Sequence, residues 1–268
     1  MVRRIKHSYL LREDWDILII LDACRYDTFK KILPNICKMG KLYRGDSEAS
    51  STSKWLKLHW EYNNGGFNID MIYVSGNPFV NSKGINIEGQ KKFDGRHYFG
   101  DIIDAWDFAF NRKTGRIEPD IVNTTAIGAY YSNPNCRFIV HFMQPHSPYI
   151  FDRKKPEPMT ILRKLLPKKV ISMMRDMLPE KVKQTNVHLT EHNYRRIYSE
   201  DEIKTAYEKN LKSVEGYVLE LIQQYGDKKI VITSDHAEYL GEDGKYGHGG
   251  ERTELITTVP ILIINGEI

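Results

Sequence analysis

Apolar and polar residues follow two alternating patterns along this chain. Short runs rich in β-branched residues predict five strands, at positions 17–21, 71–74, 138–142, 229–233 and 259–264. Between these runs lie stretches in which apolar residues recur every three or four positions, as on one face of a helix. Because such helices alternate with the strands, we expect an α/β fold with a mostly parallel central sheet flanked by helices.

The clearest predicted helix is the stretch SEDEIKTAYEKNLKSVEGYVLELIQQYG, residues 199–226. Its apolar positions, among them Ile203, Leu211 and Val218, keep to one face, and Gly226 is a residue type that commonly ends a helix. Shorter helices are predicted in DTFKKILPNI, STSKWLKLHWEY and TTAIGAYYS. The long helix leads directly into the strand at 229–233, as in a βαβ unit.

Residues 151–198 break this pattern, because they are strongly basic, rich in Met and Leu and interrupted by prolines. They predict two short amphipathic helices inserted into an otherwise single domain spanning 1–268. The sequence favours a peripheral lid or a subunit contact here, and a homo-oligomer stays open. The alternative is a basic surface for peripheral membrane contact with anionic lipid, or for a polyanionic glycan carrier.

Composition places the chain among soluble globular proteins, since 41% of its 268 residues are hydrophobic and 28% are charged. That length is enough for one large α/β domain with a sizeable core. The formal net charge of +4 suits an anionic substrate, although such a charge is more often only a solvated surface. No nucleic-acid partner is expected.

The compartment is predicted from the first residues and from the cysteines. The basic start MVRRIKHSYLLREDWD is not followed by an apolar signal region, and no apolar run is long enough to span a bilayer. Cys24, Cys37 and Cys136 lack metal-type spacing and are odd in number, which fits reduced thiols. These features predict a cytoplasmic location.

Carboxylates and imidazoles follow three of the predicted strands. Asp22 follows the first strand, and the third strand runs into His141 and then His146. The fourth strand runs into Asp235 and His236, and the polar segment after it contains His248. The carboxyl ends of neighbouring parallel strands meet at one edge of a sheet, so these groups are expected to converge. One such residue is usually a turn or cap residue, but clustered anions would repel each other, and a bound cation is the economical explanation.

A run of four hydroxyls, Ser50, Ser51, Thr52 and Ser53, lies at the start of a predicted helix in GDSEASSTSKWLKLHW. Ser and Thr are routine helix caps, and that explanation is strong here. The functional alternative is that one hydroxyl faces a divalent cation, ionises more easily and attacks a phosphorus or sulfur centre.

Three motifs, LDACRYD, QPHSPY and SDHAEYLGEDG, resemble the alkaline phosphatase superfamily in its sulfatase-like branch. That branch includes sulfatases, phosphonate monoester hydrolases and phosphoglycerol transferases. The last motif is the most specific, because family members typically read Asp-His-Gly-Glu-x-Leu-Gly-Glu-His-Gly there. The resemblance runs in order from Asp22 to TTVPILII, and it implies an alkaline-phosphatase-like fold with a helical insertion but without the C-terminal subdomain of sulfatases.

The resemblance implies a divalent metal held by Asp22, Asp235 and His236 together with the oxygen of a nucleophile. Thr52 is the first choice of nucleophile and Ser51 the second, since the run of hydroxyls leaves the register open. Mixed Asp and His ligation suits zinc or manganese and also admits magnesium or calcium.

The family also implies roles for groups around the metal. His146 would contact the ester and protonate or orient the leaving group, and His248 would bind the transferring group. Arg25 and Lys54 would neutralise substrate charge, or serve equally well as surface salt-bridge partners.

The chain departs from standard sulfatases, which carry a Cys-x-Pro-Ser-Arg motif where this sequence has Ser and Thr. An unmodified hydroxyl forms a phospho-enzyme that water or an alcohol can break, so phosphoryl chemistry is favoured over sulfuryl chemistry. Ligands for a second metal are not evident, because Gln144 precedes His146 and the only nearby imidazoles are His141 and His248. One metal site is expected and a second stays open.

The sequence therefore predicts a metal-dependent hydrolase of phosphate mono- or diesters that acts through a covalent Thr or Ser phospho-enzyme. A transferase of phospho-groups to a cell-surface glycan or lipid is the nearest alternative, followed by a sulfatase. A non-catalytic module that senses an anion is the alternative from another class. The expected partner is a small-molecule, glycan or lipid phosphoester.

Overall fold

The protein is described here by a computed structural model. The described residues are 4–62, 68–85, 93–112, 114–151 and 198–267. The insertion predicted at 151–198 lies outside the described residues except for its first and last positions, so its two helices and its membrane contact stay predictions.

Twelve strands are found among the described residues, and eight of them form one central sheet. The strands are β1 Ile5–Lys6, β2 Ile17–Leu21, β3 Lys41–Asp46, β4 Asn68–Ser75, β5 Phe99–Ile103, β6 Phe110–Asn111, β7 Arg116–Ile117, β8 Arg137–Phe142, β9 Ile230–Thr233, β10 Tyr239–Leu240, β11 Tyr246–Gly247 and β12 Thr258–Ile264. The order in the central sheet is β1-β3-β12-β9-β2-β8-β4-β5. Strands β9, β2, β8, β4 and β5 are parallel, whereas β12 is antiparallel to both β9 and β3. The predicted α/β fold with a mostly parallel sheet is confirmed.

The described α-helices are α1 His7–Leu10, α2 Tyr26–Ile32, α3 Pro34–Cys37, α4 Thr52–Leu56, α5 Ala105–Phe108, α6 Pro119–Ser132, α7 Glu200–Lys212, α8 Glu215–Tyr225 and α9 Glu254–Thr257. A π-helical turn at Lys57–Tyr62 continues α4.

The single helix predicted at 199–226 is divided into α7 and α8. Ser213 lies at the division, and its hydroxyl donates to the carbonyl of Asn210 at 2.7 Å, a local bond that competes with the helical pattern. The predicted ends are as expected: Ser199 and Glu202 form a capping box at the start of α7, and Gly226 follows α8 at a φ of 61°.

The two faces of β2 bury different sets of side chains, because successive residues of a strand point in opposite directions. Ile17, Ile19 and Leu21 pack against side chains of α2, α6 and α8 on one face of the sheet. Leu18 and Ile20 pack on the other face, in a cluster that contains three tryptophans and the apolar side of α4. This second cluster fixes α4 beside the carboxyl end of β2.

No α-helix among the described ranges is long and apolar enough to cross a bilayer.

Candidate active site

The neighbouring strands β2 and β9 bring two predicted metal ligands together. Ile20 pairs with Thr233 in the parallel register, so Asp22 and Asp235 occupy equivalent positions just beyond the two strands. Asp22, Asp235 and the adjacent His236 are completely buried, and each offers a ligand atom within 4.8 Å of the others. The structure therefore assembles the three predicted metal ligands into one cluster.

Each carboxylate keeps one oxygen for the centre of this cluster. Asp235 Oδ1 accepts hydrogen bonds from the backbone N–H groups of Ala23, at 3.2 Å, and His236, at 3.1 Å. Within the described part of the chain, Asp235 Oδ2 and Asp22 Oδ1 have no hydrogen-bond partner although both are buried. They lie 3.5 Å and 3.6 Å from His236 Nε2, respectively.

The ring of His236 faces these oxygens as a neutral imidazole. Its Nδ1 lies 3.0 Å from the carbonyl oxygen of Ala237, which can only accept, so Nδ1 carries the proton and Nε2 presents its lone pair to the cluster. Burial lowers the pKa of His236 to about 4, so the ring is neutral near pH 7. It therefore cannot act as the counter-charge of the two carboxylates.

Asp22 is held in its ionised form by its surroundings. Burial alone would raise the pKa of its carboxyl, but His146 and the hydrogen bond and charge of His141 outweigh burial and hold that pKa well below its usual range. The side-chain amide of Asn77 donates to Oδ2 of Asp22, and Nε2 of His141 lies 3.3 Å from the same oxygen.

These atoms fit a divalent cation. Two buried carboxylate oxygens, which have no hydrogen-bond partner among the residues that the structure describes, converge with one imidazole lone pair. A buried negative charge of this kind is costly unless a cation compensates it. The mixed oxygen and nitrogen donors suit several divalent metals, so they do not select one.

The start of α4 distinguishes between the two predicted nucleophiles. Ser51 is the N-cap of the helix, and its Oγ accepts a hydrogen bond from the backbone N–H of Lys54 at 3.4 Å. Thr52, only 3% exposed, places its Oγ1 3.4 Å from Nε2 of His236. The structure thus brings Thr52 to the cluster of Asp22, Asp235 and His236, whereas Ser51 caps the helix.

Two further predicted residues, His146 and His248, lie against this cluster. Their ring centroids are 4.9 Å apart, and the ring of His248 is 4.2 Å from that of His236. Nδ1 of His248 lies 3.8 Å from Oε2 of Glu238, a fully buried carboxylate whose Oε1 accepts a hydrogen bond from Tyr149 at 2.8 Å. The three imidazoles thus form a group on one side of the two aspartates.

The predicted substrate-binding cations, Arg25 and Lys54, are both engaged by protein groups. Arg25 makes a two-pronged ion pair with Asp27, at 3.0 and 2.7 Å, and a third bond to Glu242 at 2.6 Å. Burial alone would lower its pKa, but these two carboxylates raise that pKa above its usual value. Arg25 is therefore a salt-bridge partner, the alternative that the sequence left open, and Lys54 Nζ is bound to Ser50 and the 249–250 loop.

Several groups around Asp22 were missed by sequence reasoning. Asn77 follows β4 much as Asp22 follows β2, so the rule that located Asp22 could also have located Asn77. Tyr73, whose hydroxyl lies 2.7 Å from Nδ1 of His141, points out from within β4 and carries no such signal. His141 was noted from the sequence as a strand-end imidazole, but no role was assigned to it.

This mostly parallel sheet, with acidic and histidine side chains beyond β2 and β9 and a threonine at the start of α4, defines an alkaline-phosphatase-like α/β protein. The fold that the motif resemblance implies is confirmed: the chain has an alkaline-phosphatase-like fold, which it shares with solved phosphoethanolamine transferases and a phosphonate monoester hydrolase. No family model and no curated protein sequence matches this chain.

Three solved structures represent this likeness. The soluble domain of lipooligosaccharide phosphoethanolamine transferase A from Neisseria meningitidis is 13% identical, with a TM-score of 0.57 over 98% of this chain and 77% of that one. The C-terminal periplasmic domain of a phosphoethanolamine transferase from Campylobacter jejuni is 12% identical, with a TM-score of 0.51 over 98% and 79%. The phosphonate monoester hydrolase of Agrobacterium radiobacter is 13% identical, with a TM-score of 0.51 over 97% and 68%.

The predicted cytoplasmic location is wrong, because the fold neighbours include a periplasmic domain and point to a location outside the cytoplasm. The prediction relied on the first residues of the chain and on three unpaired cysteines. Neither feature reports the compartment in which a folded domain works.

Proposed function

We propose that this protein is a metal-dependent enzyme that cleaves phosphate mono- or diesters through a covalent phosphothreonine at Thr52. One observation carries the proposal. Two buried carboxylate oxygens, on Asp22 and Asp235, have no hydrogen-bond partner among the described residues and face the lone pair of a neutral His236, with the Thr52 hydroxyl beside it.

Asp22, Asp235 and His236 would hold the metal. A divalent cation bound there would lower the pKa of an adjacent hydroxyl and neutralise charge on a phosphoryl oxygen. Thr52 is the first residue of α4, and the buried side chains of Trp55 and Leu56 pack that helix against the sheet. The position of α4 therefore fixes the position of Thr52. This packing supports Thr52 as an oriented nucleophile.

In the first half of the reaction, Oγ1 of Thr52 forms a bond to phosphorus while the bond from phosphorus to the ester oxygen breaks. The hydroxyl proton is released to solvent, and His146 gives a proton to the departing alcohol. In the second half, water or an acceptor hydroxyl forms a bond to phosphorus while the bond from phosphorus to Oγ1 of Thr52 breaks; the attacking hydroxyl gives its proton to His146, and Thr52 regains a proton from solvent. His248, beside both His146 and His236, is the proposed contact for the transferring group.

Threonine at the nucleophile position favours phosphate over sulfate esters. A sulfated threonine has no easy elimination route for releasing sulfate, whereas water or an alcohol can displace the oxygen of a phosphothreonine. A sulfatase therefore ranks below a phosphoesterase.

A transferase is the second candidate, because two of the fold neighbours are phosphoethanolamine transferases. A cavity of about 420 Å³ beside His248, lined in part by Tyr239, Lys245 and Tyr246, has a volume that suits the alcohol part of an ester or an acceptor. A glycan or lipid acceptor outside the cytoplasm is the corresponding substrate class.

The metal-dependent function is tested by chelating the purified protein and restoring zinc, manganese, magnesium or calcium one at a time. Turnover is measured on an aryl phosphate, an aryl phosphodiester and an aryl sulfate. We expect one metal to restore phosphoesterase activity, and Asp235→Asn to lower it by several orders of magnitude, since nucleophile activation and charge neutralisation fail together.

Asp243→Asn is the matched control, because Asp243 lies outside the cluster, in the turn between β10 and β11, at a φ of 52°, a conformation that asparagine tolerates well. Full activity of Asp235→Asn after chelation would overturn the site assignment. Preferential turnover of the sulfate ester would replace the phosphoesterase with a sulfatase. Adding acceptor alcohols separates the two leading candidates: a transferase forms the new phosphoester faster than it releases phosphate.

A further inference from the structure

Lys54 lies at a junction between the segment that carries Thr52 and the loop that carries His248. Its ammonium donates to Oγ of Ser50 at 2.9 Å, to the carbonyl of Gly249 at 2.9 Å and to the carbonyl of Gly250 at 3.0 Å. A lysine ammonium has three protons to donate, so this geometry uses all of them on protein acceptors.

Ser50 completes the same junction. Its side chain is fully buried, its hydroxyl donates to the carbonyl of Gly250 at 2.9 Å, and its own carbonyl accepts from the backbone N–H of Gly249 at 2.7 Å. Four hydrogen bonds therefore tie positions 50 and 54 to positions 249 and 250, and a fifth joins Lys54 to Ser50.

The loop needs such an anchor because its backbone is intrinsically free. Gly247 and Gly249 flank His248, and both have positive φ angles, of 73° and 95°. Glycine adopts these angles without steric cost but loses the most conformational entropy when it is ordered. The ring of His248 makes its contacts with His146 and His236 only if this glycine-rich backbone stays in place.

We infer that Lys54 is a positioning residue that holds His248 against His146 and His236 in the candidate active site, rather than a group that binds substrate charge. The effect of Lys54 on turnover rests on the proposed function, whereas its effect on the position of His248 does not. Lys54 and Ser50 form one unit, and both act through His248. A misplacement of about 1 Å at a reacting centre can cost roughly 100-fold in rate.

The structural part is tested without turnover by recording the imidazole NMR signals of the protein, in which His248→Ala assigns the signal of His248. We expect Lys54→Met and Ser50→Ala each to shift or broaden that signal, and Lys54→Arg, which retains charge and donors, to shift it less. Lys57→Met, at the next lysine along the chain, is the matched control and should leave it unchanged. An unmoved His248 signal in Lys54→Met would overturn the inference.

The catalytic part is tested with a double-mutant cycle on the metal-loaded enzyme. We expect Lys54→Met to lower kcat/KM about 10- to 100-fold, equally for a phosphate monoester and a diester, and to have no further effect in the His248→Ala background. Lys54 would instead bind substrate if Lys54→Met lowers kcat/KM more for the monoester, which carries more negative charge, than for the diester, and if this loss persists in the His248→Ala background. If the wild-type protein has no turnover but Lys54→Met shifts the His248 signal, the proposed function is refuted and the positioning of His248 by Lys54 is supported.

Discussion

The neighbouring hydroxyls of Ser51 and Thr52 give the sharpest test of the candidate active site. They are adjacent in sequence, yet Ser51 caps α4 whereas Thr52 faces His236. We expect Ser51→Ala to remain active and to lose stability, and Thr52→Val, which removes the hydroxyl but keeps the branched shape, to lose activity. Thr52→Ser, which keeps a hydroxyl, should retain part of the activity.

The expected magnitudes follow from the contacts. Losing a serine N-cap costs about 0.5–2 kcal/mol, and the 3.4 Å bond from Lys54 N is long, which places Ser51→Ala near the lower end. For a domain of this size, a loss of roughly 0.5–1 kcal/mol lowers Tm by about 1–3 °C. Removing a covalent nucleophile should instead lower kcat by at least about 1,000-fold, with little change in Tm.

The assay combines thermal unfolding with steady-state kinetics on an aryl phosphate, followed by mass spectrometry of the acid-quenched enzyme. Wild-type protein should carry a phosphoryl group on the peptide containing residues 51–54, and Thr52→Val should not. The reasoning is refuted if Thr52→Val stays active while Ser51→Ala is inactive. Activity in both variants would rule out a covalent route through either hydroxyl.

Three other perturbations should have defined outcomes. Asn77→Ala removes the amide that donates to Asp22, and metal affinity measured by competition with a chelator should fall about 10- to 100-fold. Saturating metal at about 100 times its Kd should raise the free energy of unfolding by about 2.7 kcal/mol, so chelation should lower Tm by about 5 °C. Burial, and to a smaller extent the nearby His59, lowers the pKa of His7 well below 6.5, so the folded state keeps this ring neutral. The neutral His7 ring therefore contributes to stability above about pH 6.5, and this contribution is lost as the pH falls. The free energy of unfolding should therefore fall as the pH drops below about 6.5. His7→Gln should flatten this part of the pH dependence in denaturant unfolding, and the exposed control His97→Gln should not.

The parts of the site that sequence could predict are those set by strand ends. Asp22, Asp235 and His236 directly follow apolar strands, and the geometry of a parallel sheet requires such positions to converge. The α/β class followed from the same alternation of strands and helices. These predictions depend on residue type and spacing, which a sequence displays.

Other features depend on the phase of a helix or on backbone atoms. Whether Ser51 or Thr52 faces the cluster is decided by where α4 begins, a shift of one residue that the run of hydroxyls conceals. The partners of Lys54 include two backbone carbonyls, which have no sequence signature, so its charge seemed available for substrate. The division of the 199–226 helix at Ser213 likewise depends on a bond from a side-chain hydroxyl to a backbone carbonyl, which the spacing of apolar residues does not reveal.

The position of β12 has a consequence for how the protein is made. This strand runs antiparallel between β3 and β9, yet it is synthesised after both of them. Until a ribosome has delivered Thr258–Ile264, β3 and the apolar strand β9 each expose an open edge that invites pairing with other nascent chains. We expect a stall before position 258 to yield an aggregation-prone nascent chain.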